Sequence, residues 1–375
     1  MLSFVLKEVL TQKELKRFIK FPFELYKGNK YWIPPLISDD LKTLDKKKNP
    51  AFELCEAKYW LVEESGKIVG RIAGIINKRY NDKFKVRYAR FGWFDFIDNE
   101  TVSSILINSV SDWAKENGLD TIHGPLGFTD MDGEGLLIEG FEELSTFGSI
   151  YNYPYYEKHL QRLNFEKDAD WVEYHITLDK QIPEKILRMS DIVLRREKLK
   201  VLEVKKSKDL LPYARAIFSL INETYKDLYG FVELTDRQID LYVKSYFSFI
   251  KPGFVPIVLD QKNNLIAFGI SMPSLSVAIQ KAKGKLFPFG FVHLLKAMKK
   301  NDTVDLYLTA VKSEYQNKGV NAVIICEINK TLLANKIYHV ETNRELEVNS
   351  KIQSQWRYFN SRQHKRRRCY IKKIN

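Results

Sequence analysis

Runs of apolar, β-branched and aromatic residues, broken by short turn signals, predict strands at two places far apart in the chain. The first is Tyr59–Glu64 followed by Lys67–Ile76, with Ser65-Gly66 between them. A two-residue turn containing glycine joins adjacent antiparallel strands. The second is Pro256–Leu259 followed by Leu265–Ser271, and in both hairpins the second strand carries internal glycine: Gly70 and Gly74, then Gly269. Each hairpin has a similar ending further on: Asn152–Phe165 before Trp171–Ile176, and Asn349–Phe359 before Arg368–Ile371. Matching order at matching spacing predicts an internal duplication; the alternative is two unrelated α/β units of similar size.

Between these landmarks the apolar period changes to that of a helix. Glu100–Asn117 places Val102, Ile105, Leu106, Val110, Trp113 and Ala114 on one face and stops at Gly118. Val320–Asn335 repeats the plan and leads into a strand at Tyr338–Glu341, while Leu211–Tyr229 predicts the helix that opens the second half. The fold expected is α/β, with an α+β mixed sheet in two tandem domains. Residues 1–180 form the first, 181–200 a charged connector and 201–375 the second. Pro273–Lys300 is an apolar, glycine-marked excursion between two strands, read as a lid, as packing or as the contact of a homodimer.

Composition narrows the class. The chain has 375 residues, 45% hydrophobic and 13% aromatic, enough for two cores. Cys55, Cys326 and Cys369 are widely spaced, which argues against a disulfide framework or a zinc site. No apolar run is long enough for a membrane span, and a cytoplasmic location is expected. The net charge of +13 suggests anionic partners, and the densest basic run, His364–Arg368, is read as a solvated face or a phosphate contact.

Candidate chemistry centres on Val304–Val311, then Lys312–Asn321, then an apolar helix. Glycine at a loop–helix junction lets backbone amides approach a ligand closely, and the first helical amides are unpaired at the positive end of the dipole. A diphosphate satisfies both, with Lys312 and Lys318 adding charge. This stretch resembles the acetyl-CoA loop of the GNAT superfamily of N-acetyltransferases, Gln/Arg-x-x-Gly-x-Gly/Ala, through Gln316, Gly319 and Asn321. Asn321 departs from the small residue expected, although Ala322 is adjacent. The resemblance implies an acyl-CoA cofactor held by Leu308, Ala310, Val311, Gln316, Asn317, Lys318, Gly319, Val320, Asn321 and Ala322. The pantetheine arm would lie along the strand Leu306–Val311 like an added strand.

The superfamily's Asn-x-x-Ala-x-x-Leu-Tyr segment is matched by Asn349, Ile352 and Gln355-Trp356. The tyrosine that often protonates the leaving thiolate is therefore Trp356, whose indole N–H donates a hydrogen bond but no practical proton. Tyr307 and Tyr315 are the alternative acids, and Glu341, Glu345 and Glu347 the candidate bases. The catalytic set expected is Asn349, Tyr307 and Glu341, transferring an acyl group to a small-molecule or peptide amine.

The first half lacks such a loop. Asp95, Asp98 and Glu100 surround the matching helix start and would repel a diphosphate. Its own feature is His123–Phe141, with five glycines, followed by Tyr151-Asn-Tyr-Pro-Tyr-Tyr156. Asp130, Asp132, Glu134, Tyr151, Asn152 and Tyr155 are the candidate binders of a cationic amine. Asp130–Glu134 resembles a calcium loop but lacks its length and terminal glutamate, so no metal is expected. The whole chain resembles a family of two-domain GNAT-like bacterial proteins. Two other readings stay open: an acyl-CoA sensor without turnover, and an aminoacyl-tRNA-dependent transferase, for which nucleic-acid contact is neither favoured nor excluded.

Overall fold

The computed structural model describes residues 4–246 and 250–374. They pack as two compact units, and neither is one continuous stretch. The first unit comprises the chain to Val172, Leu275–Leu295 and His364 onward; the second comprises Glu173–Ser274 and Lys296–Gln363.

The first unit runs β1 (Phe4–Glu8), α1 (Gln12–Leu25), α2 (Ile37–Thr43), β2 (Cys55–Glu64), β3 (Lys67–Asn77), α3 (Lys78–Phe84), β4 (Tyr88–Phe96), α4 (Glu100–Glu116), β5 (Thr121–Gly124), β6 (Leu136–Glu139), α5 (Tyr155–Arg162) and the start of β7 (Glu166–Thr177). Ser65 and Gly66 take φ of 49° and 79°, as a tight hairpin turn requires. β3 pairs antiparallel with β2 and β4, and β4 pairs parallel with β5. Helix α4 buries Val102, Leu106, Val110 and Trp113. The glycines of β3 make room for it: a Cβ on Gly70 would stand 2.8 Å from Leu106 and Val102, and one on Gly74 2.9 Å from Trp113.

The second unit repeats the plan. It contains α6 (Glu184–Arg196), β8 (Lys200–Val201), α7 (Ala214–Tyr225), α8 (Asp236–Tyr246), β9 (Ile257–Leu259) and β10 (Leu265–Pro273). After the excursion, which forms α9 (Ser276–Ala282) and α10 (Gly290–Lys299), come β11 (Thr303–Val311), α11 (Val320–Ala334), β12 (His339–Glu341), β13 (Glu345–Leu346), α12 (Ser350–Gln353) and only the start of β14 (Asn360–Lys373). β10 is antiparallel to β9 and β11, and β11 is parallel to β12. Gly269 lies beneath Ile324 of α11, 2.6 Å from a hypothetical Cβ, as Gly70 lies beneath α4.

The repeated last strands are exchanged. In the first unit it is β14 that pairs with β5, Tyr370 opposite Gly124, and with β6, Arg368 opposite Leu136. In the second unit it is β7 that pairs with β12, Ile176 opposite Val340, and with β13. A single cut at 180–200 therefore does not reproduce the compact units. Residues 181–200 are also more than a connector, because α6 buries Ile186 and Val193 and packs on α11. The predicted helix 211–229 is shorter in the structure: a tight turn through Tyr213, then α7.

The basic run is not a solvated face. It lies in β14, where Lys365 and Arg367 are 1% and 0% exposed. Arg366 and Arg368 both reach the Asp170 carboxylate, at 3.0 and 2.7 Å, and Arg367 donates to the Ile150 carbonyl. Buried guanidinium groups need such partners.

Candidate functional site

Strand β11 is paired by β12 only as far as Asp305, opposite Glu341. Beyond that point its main chain is met by side chains. Asn343 donates its amide to the Tyr307 carbonyl at 3.0 Å. The Tyr225 hydroxyl donates to the Thr309 carbonyl at 2.8 Å and accepts from the Thr309 amide at 3.4 Å. The register against β10 shifts beside Tyr307, a bulge that interrupts the ladder. An extended ligand could pair along this edge by displacing those side chains.

At the end of β11 the loop turns through Asn317 (φ 62°) and Gly319 (φ 83°), both left-handed. Gly319 is the N-cap of α11, and no side chain caps the helix there. Gln316, Asn317 and Lys318 are exposed. The Gln316 amide is donated to the Val311 carbonyl, bracing the loop. Helix α6 buttresses it from outside: Arg196 donates to the Lys318 carbonyl at 2.6 Å, and Glu197 meets the Lys318 ammonium at 3.3 Å. A cleft of about 470 Å³ adjoins the loop at Lys312, lined by Tyr213, Leu220, Glu223 and Leu265.

The segment after β12 holds a strongly perturbed acid, Glu345. Trp356, 8% exposed, donates its indole N–H to both carboxyl oxygens of Glu345, at 2.9 and 3.1 Å. Burial pushes Glu345 up to about 8, with the Trp356 hydrogen bond pulling the other way. A carboxyl that binds its proton near neutral pH is suited to proton transfer. Sequence reasoning named Glu345 only as one of three acids and read Trp356 as a loss. Their pairing spans a strand end and a turn, and no local pattern announces it.

No family model matches the chain. A tandem GNAT protein from the clavulanic acid biosynthesis pathway superposes at a TM-score of 0.58, covering 100% of this chain and 99% of its own at 11% identity. The fold is a two-domain GNAT-like fold. A GCN5-related N-acetyltransferase from Sphaerobacter thermophilus agrees, with TM-score 0.54, 10% identity and coverage of 100% and 98%. Among curated proteins, YghO of Escherichia coli (strain K12) is 26% identical over 99% of this chain and 95% of its own. The bacterial ceramide synthase of Caulobacter vibrioides is 27% identical over 82% of this chain and 80% of its own.

Against this tandem GNAT-like frame, the two units differ where a diphosphate would bind. The N-terminus of α4 is already satisfied: Asn99 accepts from the Thr101 and Val102 amides at 3.0 and 3.2 Å. Asp95 is not a free charge, because Arg71 holds it at 2.7 Å and Tyr26 donates to it at 2.8 Å. The edge of β4 is also filled. Leu126 donates its amide to the Phe91 carbonyl at 2.8 Å, and a Cβ on Gly92 would lie 2.4 Å from the Leu126 carbonyl. Gly92→Ala is accordingly expected to destabilise the protein by about 2 kcal/mol in urea melts, because the blocking atom is backbone.

The structure places the other candidate residues as follows. Asn349 caps α12 by accepting from the Ile352 amide. The Tyr307 hydroxyl makes a long contact of 3.5 Å with Asp305, and Glu341 ends β12. In the first unit Asn152, 1% exposed, bonds both main-chain groups of Leu137, Tyr151 donates to the Phe141 carbonyl and Tyr155 to that of Phe96. Asp132 accepts from the Thr129 amide at 3.0 Å, while Asp130 and Glu134 share its glycine-rich loop. Asp132 also lies near Asp40, which sequence reasoning passed over. Burial pushes Asp40 up to about 6 against the pull of Arg71, and Asp132 raises it further.

Among the described residues, His123, Asp168 and Cys369 bring ligand atoms within 4.8 Å of one another. Burial holds the His123 imidazole low, and the nearby Arg90 guanidinium acts in the same direction. The Asp168 carboxylate, 3.5 Å from the imidazole Nδ1, pulls the other way.

Proposed function

We propose that the protein transfers an acyl group from an acyl-CoA to an amine, with the CoA held by the second unit. The observation that carries this reading is the start of α11: a left-handed glycine N-cap without a side-chain cap, following a strand whose edge beyond Asp305 meets no partner strand among the described residues. Asn317, Lys318, Gly319 and the amides of Val320, Asn321 and Ala322 would hold the diphosphate. Leu308, Ala310 and Val311 would flank the pantetheine arm. Acyl-CoA supplies the thioester that the amine attacks.

For each turnover the amine loses one N–H proton and the departing sulfur gains one. Glu345 in its protonated form serves as the acid toward that sulfur, with Trp356 orienting its carboxyl. Glu341 is the candidate to accept the amine proton. The ceramide synthase relative favours a long-chain amine as acceptor. A second reading, an acyl-CoA sensor without turnover, is favoured by Trp356 standing where the resemblance implies a proton-donating tyrosine.

Calorimetry with acyl-CoAs of increasing chain length, followed by thiol release with an amine library that includes long-chain amines, separates these. Binding with thiol release is expected. Binding with no release from any amine selects the sensor, and absence of binding removes both readings.

A further inference from the structure

The excursion between β10 and β11 has one face fixed in the first unit and the other apolar in water. Leu275, Ala278, Ile279 and Leu294 are buried. Polar contacts pin it: the Gly284 carbonyl accepts from the Ile37 amide at 3.1 Å, and Gln280 donates to the carbonyls of Lys30 and Trp32. Gly284, at φ 67°, fits against the Pro35 carbonyl, 2.5 Å from a hypothetical Cβ. On the outer face Phe287, Phe289 and Leu295 are 79%, 75% and 62% exposed, and Phe291 is 40% exposed. The rings of Phe287 and Phe291 pack at 5.9 Å. A held segment that keeps large aromatics in water marks an interaction surface.

Charge identifies what it meets. From Ser274 to Lys300 the sequence has six lysines and no acid. Lys281, Lys283 and Lys285 are exposed just before the phenylalanines, and Lys296 and Lys299 fill the last turn of α10. Aromatics rimmed by lysines, without an acid among them, complement a surface with an apolar interior and anionic headgroups. A second copy is disfavoured, because a twofold contact through this patch would set lysines against lysines. No described helix is long and apolar enough to cross a membrane, so the contact would be with one leaflet.

We propose that this excursion docks the protein on an anionic lipid surface, its phenylalanines entering the headgroup–acyl boundary and its lysines meeting the phosphates. The inference does not depend on acyl transfer and is tested without acyl-CoA. The full chain is sedimented with phosphatidylcholine vesicles, with and without phosphatidylglycerol. The wild type is expected to bind the phosphatidylglycerol vesicles, and less as salt rises. F287S/F289S and K281E/K283E/K285E should each weaken that binding by about tenfold or more. Both replace exposed side chains, so their melting curves should match the wild type. Equal affinity for neutral and anionic vesicles, or variants that bind as the wild type does, would overturn the proposal. So would a wild-type dimer that binds no vesicle and that F287S/F289S dissociates, which would assign the patch to a second copy.

Discussion

Glu345→Gln is expected to lower kcat for acyl transfer by about a hundredfold or more, the usual worth of a positioned proton donor, with the Kd for acyl-CoA nearly unchanged. Glutamine keeps the shape and accepts the Trp356 N–H but carries no transferable proton. The pH profile supplies the second readout. Glu345 is active when protonated, so the wild-type rate should fall as pH rises through about 8. That alkaline limb should vanish in the variant.

Stability should move the other way. The folded protein raises this carboxyl from 4.5 to about 8, so it holds a proton that the unfolded chain releases. The contribution is complete below pH 4.5 and is lost as pH rises through about 8. Above pH 8 the variant should therefore melt at a higher temperature than the wild type. A catalytic loss joined to an alkaline stability gain distinguishes a strained functional acid from a structural one. Equal kcat for variant and wild type would remove Glu345 from the mechanism.

Gly319→Glu is expected to raise the Kd for acyl-CoA by about a hundredfold, roughly 3 kcal/mol. Two effects combine. A carboxylate arrives at the helix start where the diphosphate charge would sit, and a side chain is forced into the left-handed region at φ 83°. The added Cβ also stands 3.1 Å from Val193 of α6. Gly319→Ala separates these, because it brings the strain without the charge and should weaken binding by about tenfold. Calorimetry showing wild-type affinity in Gly319→Glu would end the loop assignment, provided the melting curve shows a folded protein.

Much of the architecture was readable along the chain because it rests on local periodicity. The hairpins, their turn residues and the helices at Glu100 and Val320 all follow from patterns of two and of about four. The glycines inside β3 and β10 marked the two hairpins as alike, and the structure shows their use: α4 and α11 pack directly over them. The loop at Gly319 was readable for the same reason, since a left-handed junction admits few residue types.

What failed to show was long-range. A β-strand looks the same in sequence whichever sheet receives it, so nothing in Trp171–Ile176 or Arg368–Ile371 betrayed their exchange. The burial of Arg367 depended on the Ile150 carbonyl, and the pairing of Arg366 and Arg368 on Asp170, both remote in sequence. Asn152 looked like a binding residue because a buried asparagine that bonds main chain and a ligand-binding asparagine share one sequence signature. Glu345 needed its surroundings, since only burial separates it from an ordinary acid.

The exchanged strands also bear on the order in which the protein is made. The first unit needs β14, and those residues leave the ribosome long after β5 and after the second unit. The half synthesised first is thus completed after the second, and until then β5 is paired by β4 on one side and open on the other. A nascent chain with that edge open is a candidate for misassembly and for chaperone capture. Removal of His364–Asn375 alone would leave that early half unfinished, far in sequence from the cut.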